Sequence, residues 1–316
     1  MANHHAPAVP GSAPLRVALT GASGLIGRHV AAALRQAGHR VDPLVRRAPQ
    51  PGTTEIRWDP ARGDVDAQAL SAVDAVVHLA GETIAAGRWT PARKAAIRDS
   101  RVLGTMLLSQ CLAQFDPPPR VFVSASAIGY YGDRGDEMLD ESHPPGHGFL
   151  ADVCREWEAA TAPARQAGIR VVNLRIGMVL SRDGGALPRM LTPFKLGLGG
   201  RVGSGRQYMS WIALPDLVRV FEHVIATEEL RGPVNAVAPQ AVTNAEFTRA
   251  LGRVLRRPTI LPAPAFAVRL VFGEMGQELL LASTRVVPRR LEATGFAFEL
   301  GQLEAALRAI LRRPGV

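Results

Sequence analysis

Three regularly spaced glycines indicate a place where the backbone can approach a phosphate-bearing ligand. Gly21, Gly24 and Gly27 stand between an apolar segment of strand length and an amphipathic segment of helix length. In such a turn the first glycine permits a tight bend, the second leaves room for a pyrophosphate, and the third lets helix and strand pack closely. The start of the helix adds unpaired N–H groups and a positive dipole end. The predicted dinucleotide site consists of Gly21, Ser23, Gly24, Leu25, Ile26 and Gly27; a glycine-rich turn without a ligand is the alternative.

The end of the second predicted strand indicates which dinucleotide would bind. A site for NAD usually has Asp or Glu there, to accept hydrogen bonds from the ribose hydroxyls. This chain has Arg46 and Arg47 instead. An arginine fork can hold a 2′-phosphate through two hydrogen bonds, so the predicted cofactor is NADP(H). Two arginines after a strand can also be ordinary solvated surface, and that alternative stays open.

The elements that position these residues follow from the hydrophobic pattern. From Leu15 onward, apolar runs of strand length alternate with amphipathic runs of helix length, which predicts parallel strands joined by right-handed crossovers. Thr90 and Pro91 mark the start of a long helix that extends to about Ala113. The predicted strands are 16–20, 40–45, 54–58, 75–79, 121–124 and 170–174. The expected fold class is α/β, with a Rossmann-like, doubly wound parallel sheet and a smaller C-terminal α/β subdomain.

The rhythm of the sequence changes after strand 170–174, which suggests two unequal parts. We expect residues 15–180 to form the NADP-binding domain, with some later segments returning to it. A glycine-rich stretch and short, proline-punctuated elements follow, so residues 181–316 are expected to form the smaller subdomain on the substrate side. Residues 1–14 contain Pro, Gly, Ser and paired histidines without an apolar core, and are predicted to be a disordered tail.

Composition argues against several classes of protein. The chain is 47% hydrophobic and 21% charged, which is typical of a globular protein. The net charge of +9 is spread over scattered arginines without a dense run, so we expect no nucleic-acid partner. No stretch reaches the length of a membrane span, so no membrane partner is expected either. Cys111 and Cys154 lack metal-ligand or redox spacing; they indicate reduced thiols in the cytoplasm and no metal site.

A set of ordered motifs resembles the extended short-chain dehydrogenase/reductases, also called the NAD-dependent epimerase/dehydratase family. The resemblance is to the branch described as nucleoside-diphosphate-sugar epimerase-like or cell-division-inhibitor-like, and it runs from about Leu15 to the C-terminus. The motifs are residues 20–27, 79–82, 100–101 with 104–105, 124–126 with 129–132, 174–180, and 203–207 with 210–212.

This resemblance implies further contacts with the cofactor. It implies that Arg46 meets the 2′-phosphate and that Arg101, on the long helix, reaches the cofactor. Leu79 and Ala80 are expected to line the adenosine ribose. The two remaining residues of the expected cofactor site are Gly81 and Ser124.

The catalytic motif of the superfamily is where the sequence departs from the pattern. In these enzymes a serine acts with a tyrosine and with a lysine four residues beyond it, and the lysine lowers the pKa of the tyrosine. Ser126 matches the serine, but Leu150 and Cys154 stand at the other two positions. We expect Ser126 and Tyr130 to be the catalytic residues; Tyr131 is an alternative, and a packing role for both tyrosines stays open.

Three functions remain open on the sequence alone. The first is an NADP(H)-binding oxidoreductase with an unknown small-molecule substrate, and the second is a nucleoside-diphosphate-sugar epimerase or dehydratase. The third is a non-catalytic NADP(H)-binding sensor or interaction protein. The stretch 197–205, with Arg201 and Arg206, suits an anionic substrate, although a plain flexible loop is equally compatible. A monomer and a homodimer are both compatible with the sequence.

Overall fold

The structure is a computed structural model and describes residues 13–312. The predicted tail, residues 1–14, lies outside the described residues except for its last two. In residues 13–312 the strands are β1 (Arg16–Thr20), β2 (Arg40–Val45), β3 (Ile56–Asp59), β4 (Asp64–Val65), β5 (Ala75–His78), β6 (Val121–Ala127), β7 (Met138–Leu139), β8 (Arg170–Ile176), β9 (Met178–Leu180), β10 (Tyr208–Met209), β11 (Trp211–Ala213), β12 (Gly232–Ala236), β13 (Val242–Thr243) and β14 (Arg285–Val286).

Helices alternate with most of these strands. They are α1 (Leu25–Gln36), α2 (Ala67–Leu70), α3 (Pro91–Leu112), α4 (Phe149–Ala159), α5 (Ala162–Gln166), α6 (Ala186–Lys195), α7 (Leu214–Ala226), α8 (Asn244–Leu255), α9 (Ala265–Phe272), α10 (Glu274–Gly276), α11 (Arg289–Ala293) and α12 (Leu303–Leu311). A 3₁₀-helix spans Ile128–Tyr131, and a π-helix spans Gln277–Leu281. No helix of the described residues is long and apolar enough to cross a membrane.

One large sheet organises the molecule. Its strand order is β12-β8-β6-β5-β1-β2-β3-β4, and every neighbouring pair is parallel except β3 with β4. The chain runs outward from β1 through β2 to β3 and then resumes on the other side with β5. The order therefore reverses between β1 and β5, and a crevice at such a point is where doubly wound sheets bind ligands. The predicted fold class is confirmed.

The two faces of the sheet are covered by different helices because strand side chains alternate. Val17 and Leu19 of β1 belong to the core beneath α1 and α7, whereas Ala18 belongs to the core beneath α3 and α5. A third core, around Trp211 and Phe247, lies between α6, α8 and α12. Helix α7 and strand β12 return to the large sheet although they come late in the chain.

Local signals fixed several boundaries well. Strands β1 and β2 have the bounds predicted from the apolar runs. Helix α3 begins at Pro91, and the Thr90 hydroxyl accepts a hydrogen bond of 3.2 Å from the Arg93 amide, as its N-cap role requires. The long helix therefore starts where the sequence indicated and ends one residue before Ala113.

Candidate functional site

The glycine-rich turn joins β1 to α1, and at Gly21 and Gly27 it has room for backbone only. Gly21 has φ +65°, and a Cβ placed there would lie 3.0 Å from the Leu79 carbonyl carbon. A Cβ on Gly27 would lie 2.2 Å from the Gly21 oxygen, which no real side chain tolerates. Helix α1 then begins at Leu25, and its N-cap residue, Gly24, provides no side-chain cap. Its first amides are therefore not covered by a capping side chain of this protein.

A buried threonine fixes the neighbouring strand end against this turn. The Thr20 hydroxyl lies 2.7 Å from Nδ1 of His78 and accepts hydrogen bonds of 3.0 and 3.1 Å from the Leu79 and Ala80 amides. Burial lowers the pKa of His78 to about 3, so the ring is neutral at physiological pH. The segment predicted to pass along the adenosine ribose, Leu79 to Gly81, is thus held beside Gly21.

The two arginines at the end of β2 have different partners. Arg47 forms an ion pair with Glu55, the residue directly before β3. The Nη1 atom of Arg47 lies 2.8 Å from Oε2 of Glu55. Arg46 is exposed, and in the described residues no carboxylate pairs with its guanidinium. Its carbonyl accepts a hydrogen bond from Arg57, which fixes the backbone and leaves the side chain available.

Arg101 projects from α3 toward the same strand end. Its side chain is partly buried, and a Cβ added to Gly81 would lie 3.3 Å from the guanidinium carbon. One N–H donates to the Ile97 carbonyl at 2.9 Å, and the group lies over the Trp157 ring, 5.2 Å from its centroid. Within residues 13–312, no carboxylate forms an ion pair with it.

The two serines at the end of β6 are buried. Ser124 is fully buried, and its hydroxyl donates to the Ala125 carbonyl at 3.3 Å. The Ser126 hydroxyl donates to Glu158 of α4 at 2.7 Å. Arg175 of β8 donates to both oxygens of the same carboxylate, at 2.8 and 2.9 Å. The serine predicted to be catalytic is thus one member of a buried ion-pair network.

The two tyrosines after Ser126 differ in their surroundings. Tyr131 is fully buried; its hydroxyl donates to Asn235 at 2.8 Å and accepts from Arg175 at 2.9 Å. Burial raises the pKa of Tyr131 to about 12. The Tyr130 ring lies over the Arg175 guanidinium, 3.4 Å from ring centroid to carbon, and its hydroxyl forms no hydrogen bond with the described residues. Of the two phenols, only that of Tyr130 is free.

Leu150 and Cys154 face the loop that follows Ser126. A Cβ on Gly129 would lie 3.1 Å from the Leu150 Cβ and 3.9 Å from the Cys154 Sγ. These are the two positions where the resemblance places tyrosine and lysine. Burial raises the pKa of the Cys154 thiol to about 12, so the thiol is protonated near neutral pH. Neither residue can exchange a proton with a substrate there.

A cavity of about 310 Å³ opens beside Leu150, between the large sheet and the C-terminal part of the chain. Glu278 of the π-helix lines it and accepts hydrogen bonds of 2.8 and 2.9 Å from the Phe149 and Leu150 amides. It therefore caps α4 from a distant part of the chain. The residues that line the cavity are Gly129, Gly132, Asp133, His147, Gly148, Leu150, Gln277, Glu278, Ala282 and Thr284.

The glycine-rich stretch 197–205 lies near this cavity through its contacts with the π-helix. A Cβ on Gly203 would lie 3.0 Å from Leu281, and Gln207 donates to the Leu280 carbonyl at 3.0 Å. Arg201 and Arg206 are exposed. The role of these two arginines in substrate binding stays a prediction.

The structure brings some predicted site residues together and separates others. Gly21, Gly81 and Arg101 lie at the crevice between β1 and β5, whereas Ser126 points into the network with Glu158. Ser126 and Tyr130 are not among the described residues that line the cavity. Their catalytic role and the cofactor contacts stay predictions. No sequence signal indicated Glu278, because its contact with α4 spans more than a hundred residues.

A doubly wound parallel sheet with a glycine-rich turn at its switch point defines a nucleotide-binding protein of the Rossmann class. Comparison with known families is more specific. The chain belongs to the NAD dependent epimerase/dehydratase family, which matches residues 17–236. Residues 263–310 match a second family, described as a domain of unknown function, DUF1731.

Three similar proteins support this assignment over nearly the whole chain. Epimerase family protein Mb2239 of Mycobacterium bovis is 50% identical over 299 residues, 95% of this chain and 98% of the relative. The crystal structure of human epimerase family protein SDR39U1 (isoform 2) with NADPH is 34% identical, covers 94% of this chain and 99% of its own, and has a TM-score of 0.84. The nucleoside-diphosphate sugar epimerase of Corynebacterium glutamicum is 40% identical, covers 95% and 58% respectively, and has a TM-score of 0.79.

Proposed function

We propose that this protein binds NADP(H) and is an oxidoreductase for a small molecule, with proton transfer by groups other than a tyrosine–lysine pair. The observation that carries the proposal is the exposed Arg46 guanidinium at the carboxyl end of β2, with which no carboxylate of residues 13–312 forms an ion pair. The human relative crystallised with NADPH supports the same cofactor. Cytoplasmic location, and a monomer or homodimer as the functional form, remain part of the proposal.

The contrast between Arg46 and Arg47 gives the physical argument. Arg47 already has a carboxylate partner, Glu55, so its charge is balanced within the chain. Arg46 has none among the described residues, and it follows the strand next to the one that ends in the glycine-rich turn. A 2′-phosphate at this place would receive a charge-assisted hydrogen bond, whereas the 2′-hydroxyl of NAD would find no carboxylate from this strand end.

The test is calorimetric titration of NADPH and NADH into the wild type, Arg46→Ala and the matched control Arg47→Ala. We expect NADPH to bind the wild type much more tightly than NADH. Arg46→Ala should lose about 1.5–3 kcal/mol of NADPH binding, or roughly 10- to 150-fold, and keep its NADH affinity. Arg47→Ala should change both by less than about threefold, since its charge serves Glu55. Equal affinities of the wild type for the two cofactors would refute the preference.

A second candidate function is a nucleoside-diphosphate-sugar epimerase or dehydratase. The exposed Arg201 and Arg206, near the cavity beside Leu150, favour it because both could meet a diphosphate. Assays of NADPH oxidation with quinones and aldehydes, and of sugar-nucleotide conversion without net cofactor oxidation, separate the two enzymatic functions. A protein that binds NADPH but turns over no compound of either panel fits the sensor or interaction function.

Once a substrate is found, the proton-transfer residues can be tested directly. Ser126→Ala and Tyr130→Phe should each lower kcat by roughly a hundredfold or more, the usual scale for general acid–base groups. The free hydroxyl of Tyr130 supports its part in this proposal, because Tyr131 is committed to Asn235 and Arg175. Full activity of Tyr130→Phe would remove the tyrosine from the mechanism.

A further inference from the structure

We propose that Arg101 takes the place of the lysine that the family's catalytic motif lacks here, by supplying the cation next to the nicotinamide half of bound NADP(H). The inference rests on the proposed function, since it assumes that NADP(H) is the ligand. Beyond the proposed function, Arg101 contacts the nicotinamide half of the cofactor and replaces the missing lysine.

The Arg101 guanidinium lies close to both the end of β5 and helix α4. A Cβ added to Gly81 would lie 3.3 Å from the guanidinium carbon, and the group lies over the Trp157 ring of α4, 5.2 Å from its centroid. Cys154 lies on the same helix, one turn before Trp157. The charge of Arg101 acts on the Cys154 thiol, where it opposes the larger effect of burial on that thiol's pKa. The guanidinium of Arg101 thus projects from α3 into the space where the ammonium group of a lysine on α4 would lie.

Small residues, Gly81 and Cys154, leave room for the Arg101 side chain. Gly81 has no side chain, and a Cβ there would already be in close contact with three atoms of Arg101. Cys154 is shorter than a lysine by several atoms. A lysine at 154 beside an arginine at 101 would bring two cations together, which is unfavourable at short range in a partly buried site. The two arrangements are therefore alternatives, and this chain has the one with arginine.

Within residues 13–312, no carboxylate lies within ion-pair distance of the Arg101 guanidinium, although the charge of Glu82 acts favourably on it. Burial lowers the pKa of the Arg101 guanidinium, which means that the charged form is less favourable there than in water. The Glu158 carboxylate on α4 is occupied by Arg175 and Ser126, and the Glu82 carboxylate pairs with Arg93 at 3.3 Å. A partly buried cation without an anion is stabilised when a ligand provides one, or provides hydrogen-bond acceptors.

The chemistry of this substitution differs from that of a lysine. A guanidinium stays protonated throughout the physiological range and presents several N–H donors in a fixed plane. It can therefore bind the ribose hydroxyls or the adjacent phosphate, but it cannot pass a proton. Arg101 would position the cofactor, and a proton for the substrate must come from another group.

The experiment uses two ligands that differ by the nicotinamide half: NADPH and adenosine 2′,5′-bisphosphate. Both are titrated calorimetrically into the wild type, Arg101→Gln, Arg101→Lys and the control Arg98→Gln, an exposed arginine of the same helix that pairs with Glu156. Arg101→Gln should weaken NADPH tenfold to a hundredfold and adenosine 2′,5′-bisphosphate by less than threefold. Arg101→Lys should stay within about fivefold of the wild type for NADPH, because it keeps the cation. Arg98→Gln should change neither.

Three results would overturn the inference. They are unchanged NADPH affinity in Arg101→Gln, an equal loss for both ligands, and a loss in Arg101→Lys as large as in Arg101→Gln. The last would mean that the shape of the side chain matters and its charge does not. Failure of the wild type to bind NADPH refutes the proposed function itself, so the two failures are distinguishable. Circular dichroism melts of all variants show whether any loss of binding is a loss of fold.

Discussion

The glycine-rich turn and the network around Ser126 both lie at the carboxyl edge of the sheet, yet they are built in opposite ways. At the turn, α1 begins without a side-chain cap and Arg46 has no partner among the described residues. Around Ser126, the hydroxyl, the Glu158 carboxylate and the Arg175 guanidinium bind one another. One region leaves charge and donors uncovered, and the other satisfies them internally.

A binding surface and a structural network that both contain polar residues can be distinguished by whether those residues are paired within the protein. Polar groups that are fully paired inside a protein hold the fold, because breaking one pair leaves the other member buried and unsatisfied. Polar groups that stay uncovered at a concave edge are available to a ligand. The comparison predicts that breaking the Glu158–Arg175 pair alters stability, whereas changes at the turn alter cofactor binding.

The largest effect should come from breaking the buried ion pair. Glu158→Ala leaves Arg175, only 3% exposed, without its carboxylate, and should destabilise the protein by about 3–5 kcal/mol. The control Glu156→Ala, on the same helix, removes an exposed pair with Arg98 and should cost less than about 1 kcal/mol. Urea unfolding of both variants measures the difference. A similar small loss in both would mean that the network around Ser126 is not structural.

The converse change at the turn should spare stability and remove binding. In Gly24→Val the branched side chain would occupy the space that a pyrophosphate needs, so NADPH affinity should fall by at least a hundredfold, roughly 2.7 kcal/mol. Gly24 has φ −72°, a value that valine can adopt, and a Cβ there would lie 3.2 Å from the Gly21 oxygen, so the fold should remain after a small shift of the turn. Ala32→Val, at an exposed position of α1, is the control and should bind normally. Retained binding in Gly24→Val would place the cofactor elsewhere.

His78 links the turn to acid stability. Its folded pKa, lowered to about 3 by burial, is below the ordinary value of 6.5, so the unfolded state takes up the proton first. The stabilisation is therefore complete above about pH 6.5 and is lost as the pH falls toward 3. Between pH 6.5 and 4.5 the free energy of unfolding should fall less in His78→Asn than in the wild type. The difference between the two losses should be about 2 kcal/mol at pH 4.5. Denaturant unfolding of the wild type and His78→Asn at several pH values measures this difference. If the free energy of unfolding depends on pH in the same way in both proteins, His78 is not the group responsible. His147→Gln, in an exposed loop, is the control.

The smallest effect should come from Cys154. Its thiol is buried, with a pKa raised to about 12, and Cys111 is also buried with a raised pKa. Neither should react with Ellman's reagent in the native protein at pH 7.5, whereas both should react after unfolding. Cys154→Ser should change NADPH affinity by less than twofold, because the nearby cation belongs to Arg101. Fast labelling in the native wild type that is absent in Cys154→Ser would show that α4 opens at this point.

Local chemistry explains what could be predicted. The bounds of β1 and β2, the start of α3 at Pro91, and the three glycines all depend on residues within a few positions of each other. The position of His78 in an apolar strand favours a hydrogen-bonded core residue, but no motif identifies its partner, because its bond to Thr20 joins residues 58 positions apart. The bond between Glu278 and α4 spans 129 positions. No local pattern encodes such contacts.

The class of fold and the place of the dinucleotide turn follow from the amino-acid sequence alone, because the hydrophobic period and the steric freedom of glycine act over one or two turns of chain. The packing of distant segments settles that Ser126 binds Glu158, that Arg47 has a carboxylate partner whereas Arg46 has none among the described residues, and that Arg101 lies over the Trp157 ring of α4. These outcomes depend on which helices and strands pack together. Such packing sums many weak contacts between distant segments, so the identity of a residue alone does not reveal its partner.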